Sequence, residues 1–224
     1  MKKGFTLTEL LMALTIVGVL AVLTIPILMN NIHNRVFANQ VKNMAATIEQ
    51  LAQDELITHR TRDLSDTDFE SATKLLTENH FSIAKSCTSD ESLTKCWKTN
   101  ATGKDKVTYK SLNKANYSFG AGRTIILKNG VMIKYSNESN DGKTVGFIFM
   151  DVNGNDKPNL LGRDVFGFYV TPKGHVADSS ILSDTDISIE TKVNNCKSNT
   201  TGGFGKSSAH CYGALADNGW KMDY

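Results

Sequence analysis

The chain has 224 residues, 40% hydrophobic and 21% charged, a balance that excludes a disordered or low-complexity protein. Its formal charge is +2, from 25 Lys and Arg against 23 Asp and Glu, so it lacks the basic excess of a nucleic-acid-binding domain. The length suits one globular domain joined to an elongated helix.

The N-terminal stretch carries the strongest signal. From Phe5 to Met29 the sole ionisable side chain is Glu9. About 20 helical residues at ~1.5 Å each cross a ~30 Å hydrocarbon core, so this run is long enough to span a membrane. Lys2 and Lys3 supply a basic head, as in a secretory signal. The apolar run is too long for such a signal, however, no Ala-x-Ala cleavage site follows it, and a helical pattern continues beyond it. A carboxylate inside a membrane segment costs roughly 2.5–3.5 kcal/mol. Glu9 therefore either reaches water at the interface or meets a positive partner. A cut between Gly4 and Phe5 would create an α-amino group about one helical turn from Glu9, and in an assembly that amine could come from a neighbour.

The run Gly4-Phe5-Thr6-Leu7-Thr8-Glu9-Leu10, followed by an apolar stretch containing Gly18 and Pro26, resembles the class III signal of type IV pilins and type II secretion pseudopilins. The resemblance covers the first thirty residues. It implies a prepilin peptidase that cuts after Gly4 and N-methylates Phe5, and a Glu9 that neutralises the amino terminus of an adjacent subunit during assembly. It also implies a structural subunit of a type IV pilus or a type II secretion pseudopilus, with no catalytic residue. Its partners would be copies of itself, other pilins or pseudopilins, the peptidase, an inner-membrane assembly platform and membrane lipid. The chain would cross the inner membrane once, with its bulk outside the cytoplasm, before entering the filament. Gly18 and Pro26 match the family's helix-loosening positions, where a proline removes a hydrogen bond and bends or locally melts the helix. Loss of Met1 to Gly4 removes Lys2 and Lys3 and leaves 23 basic against 23 acidic residues. The alternative is a membrane-tethered calcium-binding or adhesive domain that never polymerises.

After Met29 the apolar residues Ile32, Phe37, Val41, Met44, Ile48 and Leu51 recur mostly at three- and four-residue steps, with polar residues between them. No Gly or Pro interrupts from Ile27 to Arg62. The pattern predicts one helix from about Phe5 to Thr58, roughly 80 Å long. Its first half is apolar all round and its second has one apolar face. From 61 to 105 the pattern is mixed. Ser65 to Phe69 offers an N-cap for a short helix through Ala72, Leu75 and Leu76 to Asn79, and a second turn lies around Glu91 to Trp97.

Between 106 and 178 the period becomes two. Thr124 to Leu127 and Val131 to Tyr135 flank Asn129-Gly130, a hairpin signal, and Thr144 to Met150 and Val165 to Val170 are further β-branched and aromatic runs. The expected fold is α+β: an antiparallel meander of four or five strands over the amphipathic half of the long helix. After Asp178 comes a polar stretch, with Gly202 to Gly205 a loop and Ser208 to Asn218 a short helix stopped by Gly219. The segments are then a leader (1–4), a filament-core helix (5–29), an amphipathic half (30–60), a link (61–105), a sheet (106–178) and a C-terminal region (179–224).

Cys87, Cys96, Cys196 and Cys211 lack the paired C-x-x-C spacing of zinc ligands. Three connectivities are open, and the sequence-local one, Cys87 with Cys96 and Cys196 with Cys211, is expected. Disulfides agree with a compartment outside the cytoplasm. The stretch from Asp151 to Asn159 is dense in oxygen donors, and Asp151, Asn153 and Asn155 copy the first three ligand places of a calcium loop. The copy then fails, since Gly162 stands where the bidentate Glu would be; Asp164 is a late carboxylate. Two expectations stand side by side, a calcium site at Asp151, Asn153, Asn155 and Asp164, or a hydrogen-bonded Asn/Gly turn. The five histidines are scattered and no H-E-x-x-H or G-x-S-x-G motif is present, so catalysis finds no support.

Overall fold

In a computed structural model of the chain, residues 6–70, 80–118, 120–137, 142–183, 185–198 and 203–224 are described. The first element is a helix, α1 (Leu7–His59), of 53 residues. At ~1.5 Å per residue it is about 80 Å long. Thr6 starts it: its hydroxyl accepts from the Glu9 amide, and the Glu9 carboxylate accepts from the Thr6 amide, a reciprocal cap that satisfies two free N–H groups. Arg60, in the left-handed conformation at φ 54°, stops it. The helix runs through Gly18 and Pro26 without a break. Thr15 and Thr24 donate their hydroxyls to the carbonyls of Leu11 and Leu20, which removes polar hydrogens from an apolar surface.

The two halves of α1 differ as their sequences require. Leu10, Leu11, Leu14, Val17, Leu20 and Leu23 all point away from the rest of the chain. In the second half Val41, Met44 and Ile48 are buried as expected, whereas Ile32 is 45% exposed. Ala38, Ala45 and Ala52, each seven residues from the next, are buried on the same side as Val41 and Ile48. Small side chains let the domain approach the helix backbone, which is why this face reads weakly as a hydrophobic stripe.

The sheet is antiparallel and has six strands: β1 (Ile83–Cys87), β4 (Thr124–Leu127), β5 (Met132–Ser136), β6 (Gly146–Asp151), β7 (Val165–Val170) and β8 (Val176–Ala177), adjacent in that order. A separate ribbon pairs β2 (Tyr109–Lys110) with β3 (Asn116–Tyr117). Asn129-Gly130 makes the expected turn between β4 and β5, with Gly130 at φ 91°. Every residue of β6 and β7 is buried, so both faces of the sheet centre are covered and these strands read as unbroken apolar runs. Trp97 and Tyr117 lie against Phe149 on one face, and the Trp97 indole donates to Thr124. The buried residues of α1 from Ala38 to Leu56 and those of the sheet belong to one core. This is the α+β, pilin-like arrangement that the sequence predicts.

Three elements correct the sequence-based expectations. Strand β1 adds an edge to the sheet from the region expected to be a link; only Cys87 of its five residues is buried, so it shows no alternation. Helix α2 (Ile189–Ser198) forms within the stretch expected to be merely polar. Helix α3 (Gly203–Asp217) begins at Gly203, inside the expected loop. Helical backbone does occur at Ser89–Glu91 and Ser92–Cys96, near the turn expected around Glu91. The helix expected through Ala72, Leu75 and Leu76 to Asn79 lies outside the described residues. Both expected disulfides are present: Cys87–Cys96 ties β1 to the following turn, and Cys196–Cys211 clips α2 to α3. A bridge closing a loop of this second size stabilises by about 3 kcal/mol in the chain-entropy picture.

Candidate functional site

The connection from β6 to β7 gathers the oxygen donors. Asp151 ends β6 and pairs with Val165, so the loop between them closes at its neck. Asn159 and Gly162 take left-handed backbone conformations, at φ 53° and 81°, that fold the loop inward. Both Asp151 and Asp164 are fully buried. The Asp164 carboxylate accepts from the amides of Asn159 (2.7 Å) and Leu160 (2.6 Å). Asp151 accepts from the Asn153 amide at 3.1 Å, with the Gly154 amide and the Tyr109 hydroxyl also facing the carboxylate, while its Oδ2 makes no hydrogen bond of ordinary length.

Two amide oxygens share that condition. Asn153 donates Nδ2 to the carbonyls of Asp156 and Lys157, and Asn159 donates Nδ2 to that of Asn155, which leaves Oδ1 of each buried and unbonded. Buried polar atoms nearly always find partners, so three acceptors without one in a single loop fit a bound cation, beside a Tyr109 hydroxyl that also faces the Asp151 carboxylate. Electrostatics agrees. Burial, and then the neighbouring Asp164, push the Asp151 carboxyl well above its ordinary range, and burial raises Asp164 to about 6. No three His, Cys, Asp or Glu side chains gather as a metal group among the described residues. The donors here are two carboxylates and neutral amide oxygens, a hard-oxygen set that suits calcium and does not suit zinc.

Of the residues singled out in the sequence, Asp151, Asn153 and Asp164 interact here, and Asn155 faces elsewhere. Its Nδ2 donates to the Cys96 carbonyl at 2.8 Å, and its Oδ1 accepts from the Tyr109 hydroxyl. Asn159, not singled out in the sequence, has the further buried amide oxygen without a bond. Gly162 explains why the EF-hand spacing fails: besides its positive φ, a Cβ there would lie 2.6 Å from the Cys196 sulfur.

At the other end of the molecule, Gly4 and Phe5 lie outside the described residues. Glu9 is exposed, and its Oε2 accepts from the Thr6 amide at 2.9 Å and the Thr6 hydroxyl at 2.7 Å. Residues 1–25 match the prokaryotic N-terminal methylation motif. The chain carries the type IV pilin and pseudopilin signal. Searches of curated proteins and of solved structures give no significant match. The pilin signal sits on α1, the one helix among the described residues that is long and apolar enough to cross a membrane, and together they fit anchoring in the inner membrane. The family that bears this signal is structural rather than enzymatic.

A third cluster was not legible in the sequence. The Lys192 ammonium lies 2.6 Å from Asp178 and 2.6 Å from Asp217. Burial acts to lower the Lys192 pKa, but its bonds to the two carboxylates outweigh this and raise it. Beside it, Ser179 bonds His210 Nδ1 at 2.6 Å, and the Asn195 amide nitrogen lies 3.2 Å from Nε2. If Asn195 donates there, His210 carries its proton on Nδ1 and donates to Ser179. Burial pushes the His210 pKa down. Both Ser179 and His210 are buried, so the pair joins the turn at Ser179–Leu182 to α3 and offers nothing to a substrate. Gly213 makes room for Asp178, whose carboxylate occupies the position a Cβ would take.

Proposed function

We propose that the chain is a structural subunit of a type IV pilus or a type II secretion pseudopilus, cut after Gly4, methylated at Phe5 and polymerised through the first half of α1. The observation that carries this reading is the union of the methylation motif at 1–25 with a helix on which Leu10, Leu11, Leu14, Val17, Leu20, Leu23 and Leu28 are all exposed. Such a surface needs lipid or other copies of itself. Glu9 exchanges its bond to the Thr6 amide for the free amine of a neighbour as subunits leave the membrane. A buried carboxylate in the filament core is tolerable only when paired.

In this reading the domain beyond the span lies outside the cytoplasm, where the two disulfides persist. Calcium belongs to it as a structural ion, held by Asp151, Asn153, Asn159 and Asp164. Bound there, it would supply the positive charge that the two carboxylates lack. Subunit, peptidase and assembly platform are the partners.

Intact mass of the protein recovered from cells without reductant tests the processing. Loss of Met1 to Gly4, gain of one methyl group and loss of four hydrogens are expected. An uncut chain, or one cut beyond Met29, sinks the reading. Glu9→Gln keeps side-chain volume and removes charge; it should abolish filaments while the chain still enters the membrane. Normal filaments from that variant would favour a domain that assembles by other means.

A further inference from the structure

A cleft of about 450 Å³ opens where α1 leaves its apolar half, between the helix and the far side of the 151–164 loop. His33, Asn34 and Phe37 form one wall, and Lys157, Leu160 and Arg163 the other. Counting about 20 residues from Leu7 for the hydrocarbon core places His33 and Asn34 roughly at the phosphate level of the lipid headgroups. On the other side of Asn34 a second cleft, of about 270 Å³, is lined by Arg35, Trp220 and Lys221, with Asp223 as its acid. Four permanent cations thus ring the helix at one height, and a tryptophan sits among them as tryptophans do at membrane interfaces.

The first cleft is built for an anion on an apolar stem. Lys157 is exposed and takes part in none of the ion pairs among the described residues. Arg163 donates two N–H groups to the main-chain oxygens of Met222 (3.1 Å) and Tyr224 (2.7 Å) and lies over the Tyr224 ring at 5.7 Å, which fixes the guanidinium at the rim with further N–H groups to offer. His33 stacks on Phe37, and Leu160 and Phe37 are half-buried beneath the cations. Below the cleft, Met29 and Ile32 continue the exposed apolar surface of the span. A free phosphate would use the cations alone; a lipid uses the cations, the apolar walls and the track beneath.

We propose that this cleft binds the headgroup of an anionic phospholipid, the phosphate between Lys157 and Arg163, with Met29 and Ile32 leading from it to the span below, along which the acyl chains run. The proposal rests on the reading that Leu7 to Met29 crosses the bilayer. Because Lys157 and Arg163 belong to the same loop as Asp151 and Asp164, order in that loop also positions the headgroup cations.

The test uses the full chain in nanodiscs of phosphatidylcholine with and without phosphatidylglycerol, with retained lipid counted by native mass spectrometry. Phosphatidylglycerol should be retained preferentially, and Lys157→Gln with His33→Gln should reduce that preference roughly fivefold for the cation lost. Both side chains are exposed, so far-ultraviolet circular dichroism should not change. Lys157→Arg should keep the preference. Failure of the chain to insert removes the membrane reading and this one with it. Insertion without lipid preference overturns only this proposal. Equal displacement of phosphatidylglycerol by inorganic phosphate identifies a free-anion site and overturns the lipid. A double variant that loses cross-linking between copies yet keeps the lipid preference assigns the cleft to a second copy instead.

Discussion

Gly162 lies directly against the sulfur of Cys196, close enough that a Cβ on it would come within 2.6 Å. The loop that gathers the oxygen donors is therefore pressed onto the bridge that clips α2 to α3. A residue other than glycine at 162 must both enter the left-handed region and displace a covalently fixed atom. Gly162→Ala should destabilise the protein by at least about 1–3 kcal/mol, the usual cost of such backbone strain. Denaturant midpoints of the two proteins measure it, and equal midpoints would contradict the packing.

Calcium should raise the melting temperature of the wild-type chain. At a concentration one hundred times the dissociation constant the gain is about 2.7 kcal/mol for an ion that binds only the folded state. Asp151→Asn keeps the shape and removes one charge, so calcium should no longer raise its melting temperature. A wild type indifferent to calcium would mean that Asp151 is simply a buried neutral acid.

Lys192 holds two carboxylates together at low exposure. Lys192→Met would leave the half-buried Asp178 without its cation, a loss that should approach the ~3–5 kcal/mol of breaking a buried pair from below because the Ser180 amide still donates to it. Asp217 is the more exposed partner, with 39% of its side chain open to solvent. Asp217→Asn should therefore change stability far less than Lys192→Met. Comparable losses in the two variants would show that Lys192 depends equally on both acids.

His210 supplies a pH dependence with a definite sign. Its pKa in the folded protein is depressed by burial, so the unfolded chain takes up the proton more readily. Stability is then full above the ordinary histidine value of about 6.5 and falls as pH drops through it towards the folded value. His210→Gln should flatten this part of the stability curve. Chemical denaturation of both proteins across that range gives the comparison, and parallel curves would refute the assignment.

The features legible in the sequence were those written locally. Charge silence from Phe5 to Met29, period-two runs around Asn129-Gly130 and short cysteine spacings each encode an element without reference to distant residues. Elsewhere, tertiary contacts decided. Strand β1 is an edge with one buried residue, so no alternation announced it. The alanines at 38, 45 and 52 carry too little hydrophobicity to mark a face, yet all three are buried. Asn155 and Asn159 are equally good donors on paper. The Cys96 carbonyl, next to the first disulfide, and the Tyr109 hydroxyl hold both ends of the Asn155 amide, whereas Oδ1 of Asn159 is left without a bond. The cluster of Lys192, Asp178 and His210 joins segments with no common motif.

The alanine face of α1 also has a mechanical side. Methyl groups packed along a helix resist separation but do little against sliding. Among the described residues, directional ties between spine and domain include Gln53 donating to the Lys173 carbonyl at 2.8 Å and Glu49 meeting His175 at 2.6 Å. Both meet the turn between β7 and β8, at the far end of the helix from the membrane. A pull along the spine therefore loads that corner through directional bonds, while nearer the apolar half the domain is held by the buried Ala38 and Val41 and by Lys42 lying over the Trp220 ring at 5.7 Å.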